Sequence, residues 1–188
     1  MHRLLAILIA AIALTGCGVT SGPVTTPTDL DVVALLRALP TPAGYTQSTD
    51  VTRADADDIQ LAFAQGTADA AAAKNYIDIG FKDAAIRRWT GPSNRTFTVV
   101  ASRWSEHQTA TNVGGGAAEV IPLSRGAVAW TPPTLHGARG TKAPPKAPGM
   151  TTLSMAIGDI SIVIFAAGPT DTAPVERTMD LVATSLGA

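Results

Sequence analysis

The sequence predicts an α+β fold: a single domain whose antiparallel sheet carries helices packed on one face. Three observations lead there. The chain has 188 residues, the span of one domain once its ends are set aside. Two stretches with hairpin chemistry are each followed by a stretch with helical chemistry, giving two β-β-α-like halves. Apolar residues make up 46% of the chain and aromatics 5%. Such a core is filled by Ala, Val, Ile and Leu, and two layers suffice to bury the apolar faces.

The elements follow in order. In TDLDVVALLRALP (28–40), Thr28 or Asp29 is placed to cap a helix. Asp31 lies in the first turn, where the dipole favours a carboxylate, and Pro40 stops the helix. Turn chemistry in TPAGYTQST then leads to an extended piece. Residues 55–64 carry two signals: Ile59, Leu61 and Phe63 alternate like a strand, whereas Asp55, Asp57 and Asp58 look like a helix start. We read them as a strand, with a helix as the alternative. TADAAAAKNYIDIG (67–80) is a helix capped by Thr67, filled by alanine and closed by Gly80. FKDAAIRRWTGPSNRTFTVVASRW (81–104) reads as a hairpin about TGPSN. A helix follows over SEHQTATNVGGGAAEVI, interrupted at Gly114 to Gly116. TLSMAIGDISIVIFAAG (152–168) is a second hairpin, turning at Gly158-Asp159, with Ile160 to Ile164 as a buried strand. The C-terminal helix has Pro174 near its first turn, and Val175, Met179, Val182 and Leu186 at helical spacing.

The ends and one internal stretch lie outside this pattern. The first sixteen residues, MHRLLAILIAAIALTG, have a basic start and an apolar run from Leu4 to Leu14. That run is shorter than the roughly 20 residues a membrane-spanning helix needs and fits a secretory signal peptide. It ends in Leu14-Thr15-Gly16-Cys17, and Cys17 is the one cysteine in the chain. The four residues resemble the lipobox of bacterial lipoproteins. The resemblance implies that the Cys17 thiol is alkylated with a diacylglyceryl group, that Leu14, Thr15 and Gly16 are read by the signal peptidase, and that Cys17 becomes the first residue. Palmitate is among the fatty acids such an anchor implies. Two acyl chains hold a protein at a membrane where one gives marginal binding. Residues 17–28 then form a lipidated cysteine and a flexible tether with Pro23 and Pro27, and residues 29–188 form the domain. Within it, TPPTLHGARGTKAPPKAPG (131–149) is expected to be a long proline-rich basic loop.

A formal charge of −1 excludes a nucleic-acid partner, since that affinity rests on a basic excess. One cysteine permits no internal disulfide. His107 and His136 lie in no zinc-spacing motif, so no metal and no cofactor is expected. Ser105, Glu106 and His107 are adjacent, and neighbours on a helix point apart, so they form no catalytic triad. No GxSxG is present, and no Walker lysine follows the triple glycine. Two features bear on ligand binding. Arg87, Trp89, Arg103 and Trp104, with Arg88 and Arg95 nearby, suit an anionic or carbohydrate ligand through cation–π and bidentate contacts. The alternative is that these amphipathic side chains cover the sheet while their stems pack. Arg139, Lys142 and Lys146 could hold the basic loop to an anionic membrane or wall polymer.

Beyond the lipobox, the Ala/Thr/Pro/Gly bias, LPTPAGY and GFKDAAIRRW are similar to small actinobacterial cell-envelope lipoproteins. That likeness implies a place on the outer face of the cytoplasmic membrane. The expected function is a membrane-anchored, non-catalytic binding or interaction module whose partners are the membrane and a lipid, an envelope polymer or another envelope protein. The alternatives are a carrier of a lipid or other hydrophobic ligand, and an envelope enzyme.

Overall fold

The computed structural model describes residues 30–188 apart from 48, 65–68, 125, 145–148 and 169–170. The signal peptide, lipobox and tether therefore lie outside the described residues, as do Thr67 and Lys146. The elements run α1 (Val32–Ala38), β1 (Thr46–Gln47), β2 (Thr52–Ala54), α2 (Ala56–Phe63), α3 (Ala70–Asp78), β3 (Asp83–Gly91), β4 (Arg95–Arg103), α4 (His107–Gly115), a π-helical segment Gly116–Val120, α5 (Ile121–Ser124), β5 (Val128–Trp130), β6 (Arg139–Lys142), β7 (Met150–Ile157), β8 (Ile160–Ala167) and α6 (Ala173–Ser185).

All the strands join one eight-stranded antiparallel sheet in the order β1-β3-β4-β8-β7-β6-β5, with β2 also paired to β3. The two expected hairpins are its centre. Val99 pairs with Ile164 and Val100 with Val163, so the hairpins meet through β4 and β8. The α+β class, the single domain and the antiparallel sheet are as the sequence predicts.

The helices divide between the two faces of this sheet. Side chains on a strand alternate, so Val99, Ile162 and Ile164 point one way and Val100, Val163 and Phe165 the other. The first set packs against Leu36, Val175, Met179 and Val182, the buried stripes of α1 and α6. The second packs against Ile59 and Phe63 of α2 and Ala117 and Ala118 of the π segment. Each fully buried Val, Ile or Phe contributes about 1.5–3 kcal/mol over its exposed state. Apolar residues on both faces of β4 and β8 require cover on both, which gives three layers where a single helical face was expected. The β-β-α order recurs as β3-β4-α4 and β7-β8-α6. Because α4 and α6 take opposite faces, the halves are not a structural repeat.

Several local expectations change for physical reasons. Asp31, not Thr28 or Asp29, caps α1, accepting from Val33 N at 2.9 Å. Residues 56–63 form a helix, because Asp55 and Asp58 make a reciprocal capping box: Asp58 N donates to Asp55 Oδ1 at 2.9 Å and Asp55 N to Asp58 Oδ2 at 3.3 Å. Ile59 and Phe63, four apart, face the core, and Leu61 points outward at 42% exposure. Asp69 caps α3 by accepting from Ala71 N and Ala72 N.

The triple glycine does not break its helix. Gly114 and Gly115 let α4 lie close to its neighbours: a Cβ on Gly114 would run into Ser161 Oγ, and one on Gly115 would meet Arg139 at 3.0 Å. At Gly116 the helix widens into the π segment, which leaves backbone groups with altered partners. The Ala118 carbonyl there accepts hydrogen bonds from the hydroxyls of Thr141 and Thr152, so a bulge otherwise costly to bury is satisfied by the sheet.

The expected loop over 131–149 is also partly sheet. Arg139–Lys142 forms β6, between β5 and β7. Gly140 makes this possible: a Cβ there would fall on the Thr152 carbonyl and lie 2.9 Å from Leu153 Cα. Both obstacles are backbone, so nothing can rotate away. Gly140→Ala is therefore expected to destabilise the fold by about 1–3 kcal/mol. Urea unfolding monitored by circular dichroism checks this; an unchanged midpoint would show that β6 does not lie so near β7.

Candidate functional site

The arginine–tryptophan group occupies the sheet interior. Arg87 sits on β3 beneath the end of α1, whose last carbonyls are short of helical partners because Pro40 ends the helix; Leu36 O keeps only the Leu39 N–H, at 3.3 Å. Arg87 Nη1 donates to Leu36 O at 2.7 Å, Arg37 O at 3.1 Å and Leu39 O at 2.5 Å. Its guanidinium lies 4.5 Å from the centroid of the Trp89 ring. Burial lowers the Arg87 pKa, and the Asp50 carboxylate pulls it partly back. Trp89 is fully buried and meets Phe97 edge-on at 5.9 Å. Tyr45 meets the same Phe97 at 5.3 Å, and burial raises its phenol pKa while Arg95 lowers it.

Arg103 and Trp104 belong to other environments. Arg103 pairs across the hairpin with Asp83, whereas Arg87 pairs with Val99. Four residues of strand, about 13 Å, thus separate the two arginines along the sheet. Arg103 Nη2 donates to Leu30 O at 2.8 Å and its Nε lies 3.9 Å from Asp159 Oδ2, which fastens the start of the domain to the base of the sheet. Trp104 is fully buried, donates through Nε1 to Ser102 Oγ at 2.9 Å, and packs edge-on against Tyr76 and Phe81. The four residues expected to meet a ligand are thus split among separate structural contacts. Arg88 turns to the other sheet face and donates to Thr98 Oγ1 at 3.3 Å; Arg95 lies over the Tyr45 ring.

Arg139 and Lys142, described basic residues of 131–149, are likewise engaged. Arg139 pairs with Glu119 at 3.7 Å, and Lys142 Nζ sits 4.6 Å from the Trp130 centroid. His107 lies at the start of α4 with its Nδ1 2.6 Å from the Gly158 carbonyl and its Nε2 3.5 Å from Thr111 Oγ1. The carbonyl accepts, so Nδ1 carries the proton. These partners fix the ring against the β7–β8 turn. His136 is exposed in a turn. Among the described residues, no three His, Cys, Asp or Glu side chains gather to hold a metal ion.

Sizeable surface hollows among the described residues include the following. One of about 380 Å³ runs between Pro40–Ala43 and α6, beside Arg177 and Leu181. A second of about 390 Å³ is edged by Arg53, Asp55, Asp58, Lys82 and Asp83, charges of both signs. The third, about 330 Å³, is a groove between α3 and the α4–π segment, lined by Phe63, Tyr76, Asn112, Val113, Gly116, Ala117 and Val120. Its aromatic floor is continuous with the core, since Phe63 meets Tyr76 and Phe165 at 6.3 Å each. Burial raises the Tyr76 pKa above the ordinary phenol value. Sequence reasoning missed this groove. Reading 55–64 as a strand misplaces Phe63, and reading the triple glycine as a break removes the wall that Gly116 to Val120 provides. The capping box at Asp55 was the signal that restores the first.

No protein-family model matches the chain, and no curated protein matches it. Among solved structures, the chain is similar to the extracellular domain of PknH from Mycobacterium tuberculosis. The identity is 11% and the TM-score 0.43, over 87% of this chain and 93% of that one. The fold assignment rests on the sheet and its helices.

The contacts of Arg87 make a direct prediction. Arg87→Met removes the donor to three carbonyls, leaving Leu36 O with the Leu39 N–H alone and Leu39 O buried without this donor, a loss of about 2–3 kcal/mol. Chemical denaturation measures it. A loss under about 0.5 kcal/mol, the range of ordinary surface substitutions, would mean that Arg87 is not the clasp of α1.

Proposed function

We propose that this chain is a lipid-anchored, extracytoplasmic binding module, held by Cys17 at the outer face of the membrane and free of catalytic function. The observation that carries the reading is the sequence Leu14-Thr15-Gly16-Cys17 directly after the apolar run from Leu4. A large apolar residue, two small ones and a cysteine are what an embedded peptidase and a thiol-directed lipid transfer require. Two acyl chains bind a bilayer stably, so no membrane-spanning helix is needed. Among the described residues no helix is long and apolar enough to cross a membrane.

The arrangement of the domain supports the binding half of the proposal. Arg87 holds the end of α1, Arg103 holds Leu30, and the described partners of His107 hold a turn. What the domain offers outward is hollows bounded by fixed elements, the form that small-molecule sites take. Candidate partners are the membrane itself, a lipid, an anionic envelope polymer or another envelope protein.

Cys17→Ser tests the anchor. The variant is expected to leave the membrane fraction, or to remain as an unprocessed precursor, with no diacylglyceryl group in its intact mass. A Cys17→Ser chain that is still lipid-labelled and mature would overturn the reading.

A further inference from the structure

The glycine at 116 differs from its two neighbours. A Cβ on Gly114 or Gly115 would press on Ser161 or Arg139, whereas one on Gly116 would meet nothing within 4 Å. Its backbone is ordinary right-handed helix, φ −57° and ψ −47°, which every residue adopts. Glycine is among the poorest helix formers, so here it weakens the helix with no steric need in return. What the missing side chain leaves open is the groove of about 330 Å³ that Gly116 lines.

The groove has the chemistry of a site for an apolar chain. Tyr76, Val113 and Val120 form its walls above the buried Phe63, and Val120 is 66% exposed, as a residue whose contact is not part of the fold. Around it the same outer layer shows Ile77 at 60% and Leu123 at 43% exposure. Six of the seven large apolar side chains exposed among the described residues, Leu61, Ile77, Ile79, Val120, Leu123 and Val128, belong to this side of the fold or its edge strand, and Leu181 alone to α6. Polar groups are few: the Asn112 amide, which Gln108 holds at 2.9 Å, and the Tyr76 hydroxyl. No side chain lining the groove is charged.

The tether supplies the occupant. The described chain starts at Leu30, fastened by Arg103 at the end of β4. Leu30 packs with α1 on the other face of the sheet, so the tether reaches the groove side round the end of β4, where Ser105 Oγ donates to Ile79 O. Twelve residues, 18–29, separate Leu30 from Cys17. Fully extended they reach about 40 Å, which keeps the groove within range of the bilayer that holds the anchor. We propose that the groove between α3 and the π-helical segment binds one acyl chain of a membrane lipid, and that Gly116 is kept side-chain-free to admit it. The site rests on the groove; the bilayer as its source rests on the lipid-anchored reading.

The test uses the full chain carrying Cys17→Ser, which accepts no anchor, and dispersed dibromostearate, whose bromines quench tryptophan at short range. Trp104, which meets Tyr76 at 5.6 Å, is the reporter. Saturable quenching is expected. Gly116→Leu fills the open volume and is expected to weaken binding about tenfold or more while raising the melting temperature. Val120→Asp, at an exposed position, is expected to weaken binding comparably with the fold intact. Equal affinity in all three chains would overturn the groove as the site, and quenching that never saturates would overturn an acyl chain as the ligand. The anchor fails on a different readout, the membrane fractionation of the chain with and without Cys17, so the two claims fall separately.

Discussion

The structure depends on the pairing of β4 with β8. These strands join the two hairpins along seven residue pairs, from Phe97 with Ala166 to Arg103 with Ile160. Both strands carry large apolar side chains on alternate faces, so neither face can meet water. That constraint sets the number of layers. α1 and α6 close one side, and α2, α3 and the α4–π segment close the other. Low aromatic content makes the requirement stricter, because a core of Val, Ile and Ala gains its stability from many small contacts in both layers.

The same constraint explains where the charged groups went. Seating α1 on the sheet brings the carbonyls of its last turn into the interior, and Arg87 donates to three of them. Fixing the start of the domain takes Arg103, and holding the π segment takes the pair Thr141 and Thr152. Side chains with the chemistry of a binding site are thus consumed by the joints between layers. The outer surface of the α3–π layer keeps apolar side chains that no joint requires, and that contrast is the basis for the acyl-chain site.

Much of the fold was legible because it is written locally. The turn chemistry of TGPSN and Gly158-Asp159 and the β-branched run to Ile164 define the central hairpins without reference to anything distant. Val175, Met179 and Val182 announce α6 in the same way. Illegible features share another property: their reason lies far along the chain. Four residues, Arg139–Lys142, have no apolar alternation, and they are a strand because Gly140 admits the backbone of Thr152. The helix continues past Gly116 because Ala118 finds threonine partners 23 and 34 residues later. Arg87 resembles a ligand contact until its three acceptors, about fifty residues earlier, are seen. Residues 55–64 are a different case. Both signals were present, and the capping box outweighs the alternation because it satisfies backbone donors whereas Leu61 gains little by pointing outward.

Amide hydrogen exchange on the native protein tests the double cover most directly. Backbone groups shielded on both faces exchange only through global opening, whereas edges and thinly covered segments open locally. The account predicts the slowest amides along β4 and β8, with markedly faster exchange along β5 at the sheet edge and in the π-helical segment 116–120. Exchange along β8 as fast as along β5 would contradict it, because a central strand covered on both faces cannot open as easily as an edge.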